Sequence, residues 1–153
     1  MEFRTSTSEA TEKIGVALAE HLQKHNISRA FIAMRGEMGV GKTVFTRGFA
    51  SVFGISGVKS PTYTIVNEHK SKSGVRIFHF DLYRITDSDD LYSIGYDDYV
   101  ESEGYCIAEW SERVPYDIPS DAIFVTLSRT ENDENGRLIT IEGCPFAEDF
   151  SVC

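Results

Sequence analysis

A three-layer α/β fold, with a central mixed and largely parallel sheet flanked by helices, is what this 153-residue sequence predicts. Three observations carry the prediction. A short apolar run, Ala30–Met34, leads directly into a glycine-rich stretch and then a helical repeat, and strand, loop, helix is the unit from which α/β sheets are built. Further segments of strand length recur at Val75–Tyr83 and Tyr105–Ala108. Two alternating segments, Ile123–Ser128 and Leu138–Ile141, flank the polar stretch Glu131–Gly136, a hairpin pattern that brings antiparallel pairing into the sheet.

In chain order, Ser6-Thr7-Ser8-Glu9 reads as an S-x-x-E capping box, in which a hydroxyl and a carboxylate satisfy the orphan N–H groups of a first turn. Behind it Ile14, Leu18 and Leu22, with Ala10 and Ala17 alongside, recur at helical spacing to about His25. Ala30–Met34 is a buried strand. Thr43–Phe53 is a second helix, stopped by Gly54. Tyr63–His69 and Val75–Tyr83 are two strands joined by the turn Ser71–Gly74, and the acidic stretch Asp87–Glu103 holds one or two short helices. Repeats, low-complexity tracts and linkers are lacking, so residues 1–153 are expected to form one domain.

Composition narrows the function classes. With 41% hydrophobic and 25% charged residues the chain reads as soluble and globular. It has no apolar run of spanning length, so no membrane is expected. Met1–Ser8 lacks a basic-then-apolar signal region, and Cys106, Cys144 and Cys153 are too scattered for a disulfide framework or a CxxC metal site. Both point to the reducing cytoplasm. A net charge of −9 argues against a stand-alone binder of DNA or other nucleic acid, which needs clustered Lys and Arg. The charge is uneven: residues 1–84 carry +5 and residues 85–153 carry −14, with neither Lys nor Arg between Ile85 and Glu112. Such a segment is either a solvated face or a docking surface for a basic partner. The basic residues placed to meet phosphate or an anionic partner are Arg35, Lys42, Arg47 and Lys59.

The chemistry centres on Gly36-Glu37-Met38-Gly39-Val40-Gly41-Lys42-Thr43, the G-x-x-x-x-G-K-T pattern of a phosphate-binding loop. Its glycines allow a tight turn whose N–H groups point inward at phosphate oxygens, and the following helix offers its positive N-terminus to the same anion. Lys42 can reach the β- and γ-phosphates, and the Thr43 hydroxyl is a hard oxygen ligand for Mg²⁺. The sheet prediction thereby becomes a P-loop NTPase fold. Such a site needs carboxylates at neighbouring strand ends, and Asp81 and Glu109 each end one. Either can bind Mg²⁺ directly or through water, and Glu109 can polarise the attacking water. Thr62, between the P-loop helix and the next strand, occupies the connection in which GTPase-like proteins keep a switch threonine. His79 reads as a packed or hydrogen-bonded core residue, Trp110 as a packing or interface residue, and Arg47 and Arg84 as open between phosphate and partner. An Asn/Thr-Lys-x-Asp guanine-reading tetrapeptide does not occur, which favours ATP, and too few arginines follow Arg84 for a kinase lid.

Gly36–Phe49 (GEMGVGKTVFTRGF), Val58–Glu68 (VKSPTYTIVNE), Phe78–Arg84 (FHFDLYR) and Ile107–Trp110 (IAEW) together resemble the TsaE (YjeE) family, in that family's order and spacing from about Ser8 to Gly143. The resemblance implies a small ATPase of bacterial tRNA threonylcarbamoyladenosine biosynthesis. It would act with TsaB and TsaD and meet tRNA only through that complex, its nucleotide cycle resetting the complex between turnovers while TsaD carries the transfer. It implies ATP and ADP as ligands with Mg²⁺, Lys42 and Thr43 as phosphate and metal residues, and Thr62 as the switch threonine. Asp81 would be the Walker-B-like acid and Glu109 the Mg²⁺- or water-handling acid. Ser6 to Thr11 and Gly136-Arg137 would border the nucleotide. A nucleotide-gated binding module with incidental hydrolysis, and a small-molecule P-loop kinase, are the alternative readings of the same loop.

Overall fold

The computed structural model describes residues 1–61 and 65–153. Seven strands form one sheet: β1 (Glu2–Thr5), β2 (Arg29–Arg35), β3 (Val66–Lys70), β4 (Arg76–Asp81), β5 (Gly104–Glu109), β6 (Ile123–Thr130) and β7 (Asp133–Glu142). Their spatial order is β1-β7-β6-β2-β5-β4-β3. The middle four strands, β6-β2-β5-β4, run parallel. The β6–β7 hairpin, β1 and β3 add antiparallel pairings at the two edges.

Period-two alternation sorts the core onto two faces. Ile32 and Met34 of β2, with Ile107 of β5, face α1 (Ser8–Lys24) and α2 (Lys42–Ser51), where they meet Leu18, Leu22, Phe45 and Phe49. The intervening Phe31, Ala33, Cys106 and Ala108 face α3 (Ser88–Ser93) and α4 (Tyr96–Glu101) through Leu91 and Tyr96. Helix, sheet, helix is thus the three-layer plan. On the first face α1 and α2 touch backbone to backbone at two glycines. A Cβ on Gly15 would lie 2.1 Å from the Phe45 carbonyl oxygen, and one on Gly48 2.1 Å from that of Glu12.

Several boundaries differ from the sequence reading; α2 ends at Ser51 and β4 at Asp81, each two residues early. The cap of α1 is Thr7, whose hydroxyl accepts from the Ala10 N–H, not Ser6. Strand β1, unread in the sequence, pairs Phe3 with Ile139 and Thr5 with Arg137, and a buried bond between the Thr5 and Thr11 hydroxyls joins it to α1. That pairing commits the chain up to Thr5 and shifts the first turn by one residue. The β6–β7 turn is shorter than Glu131–Gly136, because Thr130 already pairs with Asp133. Tyr63, at the start of the predicted strand Tyr63–His69, lies outside the described residues, and β3 begins at Val66.

The acidic segment sits on α3 and α4, across the sheet from α1 and α2, with Asp87, Asp89, Asp97, Asp98, Glu101 and Glu103 exposed. Among the described residues no helix is long and apolar enough to cross a membrane.

Candidate nucleotide site

Strand β2 delivers the chain to the loop 36–41, and α2 leaves from it. The tight turn needs glycine at Gly36, where φ is +142° and a Cβ would stand 2.6 Å from the Leu127 carbonyl oxygen and 2.9 Å from Val40 Cγ1. It needs glycine again at Gly41, where φ is +115°. Gly41 caps α2 with no side-chain hydrogen bond, so the first N–H groups of the helix are available to an anion. Two arginines of the β6–β7 hairpin hold the loop. Arg137 Nε donates to the Val40 carbonyl at 2.8 Å, and Arg129 Nε to Glu37 Oε1 at 2.8 Å.

At the α2 end of this loop the predicted phosphate and metal residues converge. Lys42 is buried, folded back so that its ammonium donates to the carbonyls of Gly36 and Glu37, and lies 4.3 Å above the Trp110 ring. Burial pulls its pKa down, against the pull of Glu109, Glu112, Asp81 and Glu37. Thr43 Oγ1 lies 2.6 Å from Ser60 Oγ and donates to Glu109 Oε1 at 3.2 Å, while Ser60 Oγ donates to Glu109 Oε2 at 3.0 Å. Asp81 and Glu109 are register partners at the carboxyl ends of β4 and β5, the usual ligand side of a parallel sheet. Asp81 Oδ1 accepts from the Tyr83 N–H. Burial alone would raise the Glu109 pKa, but His79, Ser60 and Lys42 outweigh it and hold the carboxylate below its ordinary value.

Trp110 follows with left-handed backbone, φ +60°, uncommon for a bulky side chain. Its ring packs on Tyr83. Ser111 Oγ donates to the Met34 carbonyl at 3.0 Å and ties this turn to the end of β2.

Two clefts meet on the loop. One, about 360 Å³, is lined by Met38, Lys42, Thr43, Ser60, Asp81, Glu109 and Trp110. The other, about 340 Å³, is lined by Ser6, Thr7, Glu9, Thr11, Val40, Asn135 and Arg137. Both include Gly39, Gly41 and Val44, so they form one trough with an acid-lined end and an end built from the chain start and the hairpin. Most of the expected residues therefore share this trough. Gly136 instead lines a neighbouring cleft with Ser6, Arg4 and Arg129. Thr62 lies outside the described residues. Of Arg35, Lys42, Arg47 and Lys59, the basic residues expected to meet phosphate, Lys42 lines the trough, while Arg35 lies over the Phe124 ring and Arg47 and Lys59 are exposed. Sequence reasoning missed Ser60 and Arg129 as parts of the site. It had placed His79 in the core without its neighbour Glu109, whose Oε1 is 3.7 Å from His79 Nε2.

A sheet with a parallel centre, whose strand β2 runs through a G-x-x-x-x-G-K-T loop into α2 and whose neighbouring strands β4 and β5 end in acids, defines a protein of the P-loop NTPase fold. Residues 5–139 match the family described as "Threonylcarbamoyl adenosine biosynthesis protein TsaE". The tRNA threonylcarbamoyladenosine biosynthesis protein TsaE of Haemophilus influenzae is 38% identical over 129 residues, covering 83% of this chain and 81% of its own. That of Bacillus subtilis is 32% identical over 145 residues, covering 94% and 87%. The crystal structure of Bacillus subtilis YdiB superposes with a TM-score of 0.72 at 27% identity, covering 92% of this chain and 83% of that one. This chain belongs to the TsaE family, and so to tRNA threonylcarbamoyladenosine biosynthesis.

Proposed function

We propose that the protein is a Mg²⁺-dependent ATPase that serves the TsaB–TsaD threonylcarbamoyl transfer complex in the cytoplasm and is not itself the transferase. The observation that carries this reading is the convergence of Lys42, Thr43, Ser60 and Glu109 at one end of a trough whose other end takes in Ser6, Thr11 and Arg137. Phosphates fit the loop side, where N–H groups, the α2 N-terminus and the Lys42 ammonium supply positive potential. The donor set suits Mg²⁺, which takes hard oxygens and is usually held by one or two carboxylates together with substrate phosphates. Thr43, Asp81 and Glu109 provide such oxygens, and a bound ion would neutralise charge developing on the phosphates. Lys42 leaves the Gly36 and Glu37 carbonyls to meet the β- and γ-phosphates. Glu109, ionised and aimed into the cleft, orients the attacking water. Trp110 and the exposed Met38 line this end of the trough and, with Tyr83 packed on Trp110, offer a protein partner an apolar seat.

The test is a Glu109→Ala variant assayed with TsaB, TsaD, tRNA and ATP. A variant that binds ATP and its partners but supports a single round of modification bears the reading out. Many rounds would replace it with a nucleotide-gated binding module, and transfer of phosphate to a metabolite instead of release as inorganic phosphate would mark a kinase.

A further inference from the structure

Among the described residues, three polar groups surround the Glu109 carboxylate, and they are of two kinds. The Thr43 and Ser60 hydroxyls belong to segments lining the trough, and each rotates about a single bond. Any ligand in the trough competes with Glu109 for them. His79 approaches from the other side. It lies inside β4, two residues before Asp81 and hence on the same face of the sheet, with a side chain that is 0% exposed and does not line the trough. Its Nε2 stands 3.7 Å from Glu109 Oε1, and neither ring nitrogen has a hydrogen-bond partner among the described residues. Unpaired polar atoms at such depth are rare enough to demand a reason.

We propose that His79 is a positioning residue for Glu109: held in the sheet 3.7 Å away, its Nε2–H becomes the carboxylate's hydrogen-bond donor when a ligand draws the two hydroxyls off, a short closure that keeps Glu109 aimed. The rest of the surroundings are consistent with this. Register pairs His79 with Ile107 and Asp81 with Glu109, so the imidazole sits diagonally behind the carboxylate and outside the trough lining. The proposal rests on the ATPase reading above for its functional consequence, but not for the contact itself.

Full-length His79→Leu and His79→Gln variants test it. Leucine removes the donor at similar volume, and glutamine returns an amide N–H close to the place of Nε2. His79→Leu is expected to lower kcat for ATP hydrolysis by about ten- to hundred-fold, the range seen when an outer partner of a metal-site ligand is removed. KM and ADP affinity should stay within about two-fold, and His79→Gln should recover most of the loss. An unchanged kcat in His79→Leu, or an equal loss in both variants, overturns the proposal. Because His79 is a core residue, the wild-type ring provides a measurement independent of folding in the variants. Long-range ¹⁵N–¹H spectra should show Nε2 protonated, with a signal that moves in Glu109→Gln; a bare Nε2 facing Glu109 overturns the proposal. This readout needs no turnover, so a wild-type protein that fails to hydrolyse ATP would sink the ATPase reading while the ring signal still decides the contact.

Discussion

The two faces of the sheet are built in opposite ways. On one, α1 and α2 lie so close that glycine backbone meets carbonyl oxygen at Gly15 and Gly48, and the trough is assembled from the ends of these same helices. On the other, two six-residue helices rest on Leu91 and Tyr96 and, with the residues beside them, expose Asp87, Asp89, Asp97, Asp98, Glu101 and Glu103. Close packing leaves little room for relative motion, so the trough-lining residues of α1 and those of α2 behave as one body. The acidic face needs no such precision. Short helices draw their stability from tertiary contacts, and a charged surface steers a partner at long range without fixed geometry.

The largest effect is expected where the first face is tightest. Gly48→Ala should destabilise the fold by about 3 kcal/mol or more, since backbone atoms of α1 must move to admit the methyl group, and it should weaken nucleotide binding together with stability. Urea unfolding and calorimetry on the same samples would show both, and loss of stability without loss of binding would break the single-body picture. Leu91→Ala, beneath α3, should cost about 3 kcal/mol at most, in the lower part of the range for buried leucines because short helices can settle into the gap. Its ADP affinity should be unchanged, and a parallel fall in affinity would show that the two faces are coupled. Lys42→Ala should leave the unfolding midpoint nearly untouched and reduce nucleotide affinity about thirty-fold, or about 2 kcal/mol, as loss of a charged hydrogen-bonding group does.

The smallest effect belongs to the acidic face. Hydrogen bonds from the Thr86 hydroxyl and N–H hold the Asp90 carboxyl below its ordinary value. A depressed carboxyl contributes stability above the unfolded aspartate pKa of about 3.9 and loses it as pH falls through the folded value. NMR titration should place Asp90 below the ordinary aspartate value, and Thr86→Ala should bring it back toward that value.

How much of this was legible in the sequence follows from the range of each interaction. The loop from Gly36 to Thr43 needed only adjacent residues, and the ends of β4 and β5 needed only local hydrophobicity, so Lys42, Thr43, Asp81 and Glu109 could be picked out. Their adjacency could not, because it depends on parallel register between segments far apart in sequence. Ser60 was hidden for the same reason: its partners are 17 and 49 residues away. Strand β1 has too few residues to show a period, and β7 recruits it to the sheet edge. Thr7 caps α1 in place of Ser6 because β1 pairing up to Thr5 outweighs the local capping pattern. His79 was half visible: two residues before Asp81 in a strand means the same face, but only the fold places Glu109 next to it.

Trp110, the only tryptophan in the chain, has a further consequence. The Lys42 ammonium lies 4.3 Å above its ring, close enough for the charge to perturb the indole. Any ligand that lifts Lys42 from the Gly36 and Glu37 carbonyls also removes that charge from the ring. On the proposed reading, phosphates that draw Lys42 away should therefore change the Trp110 emission, an expected signal by which filling of the trough is followed in real time without a label.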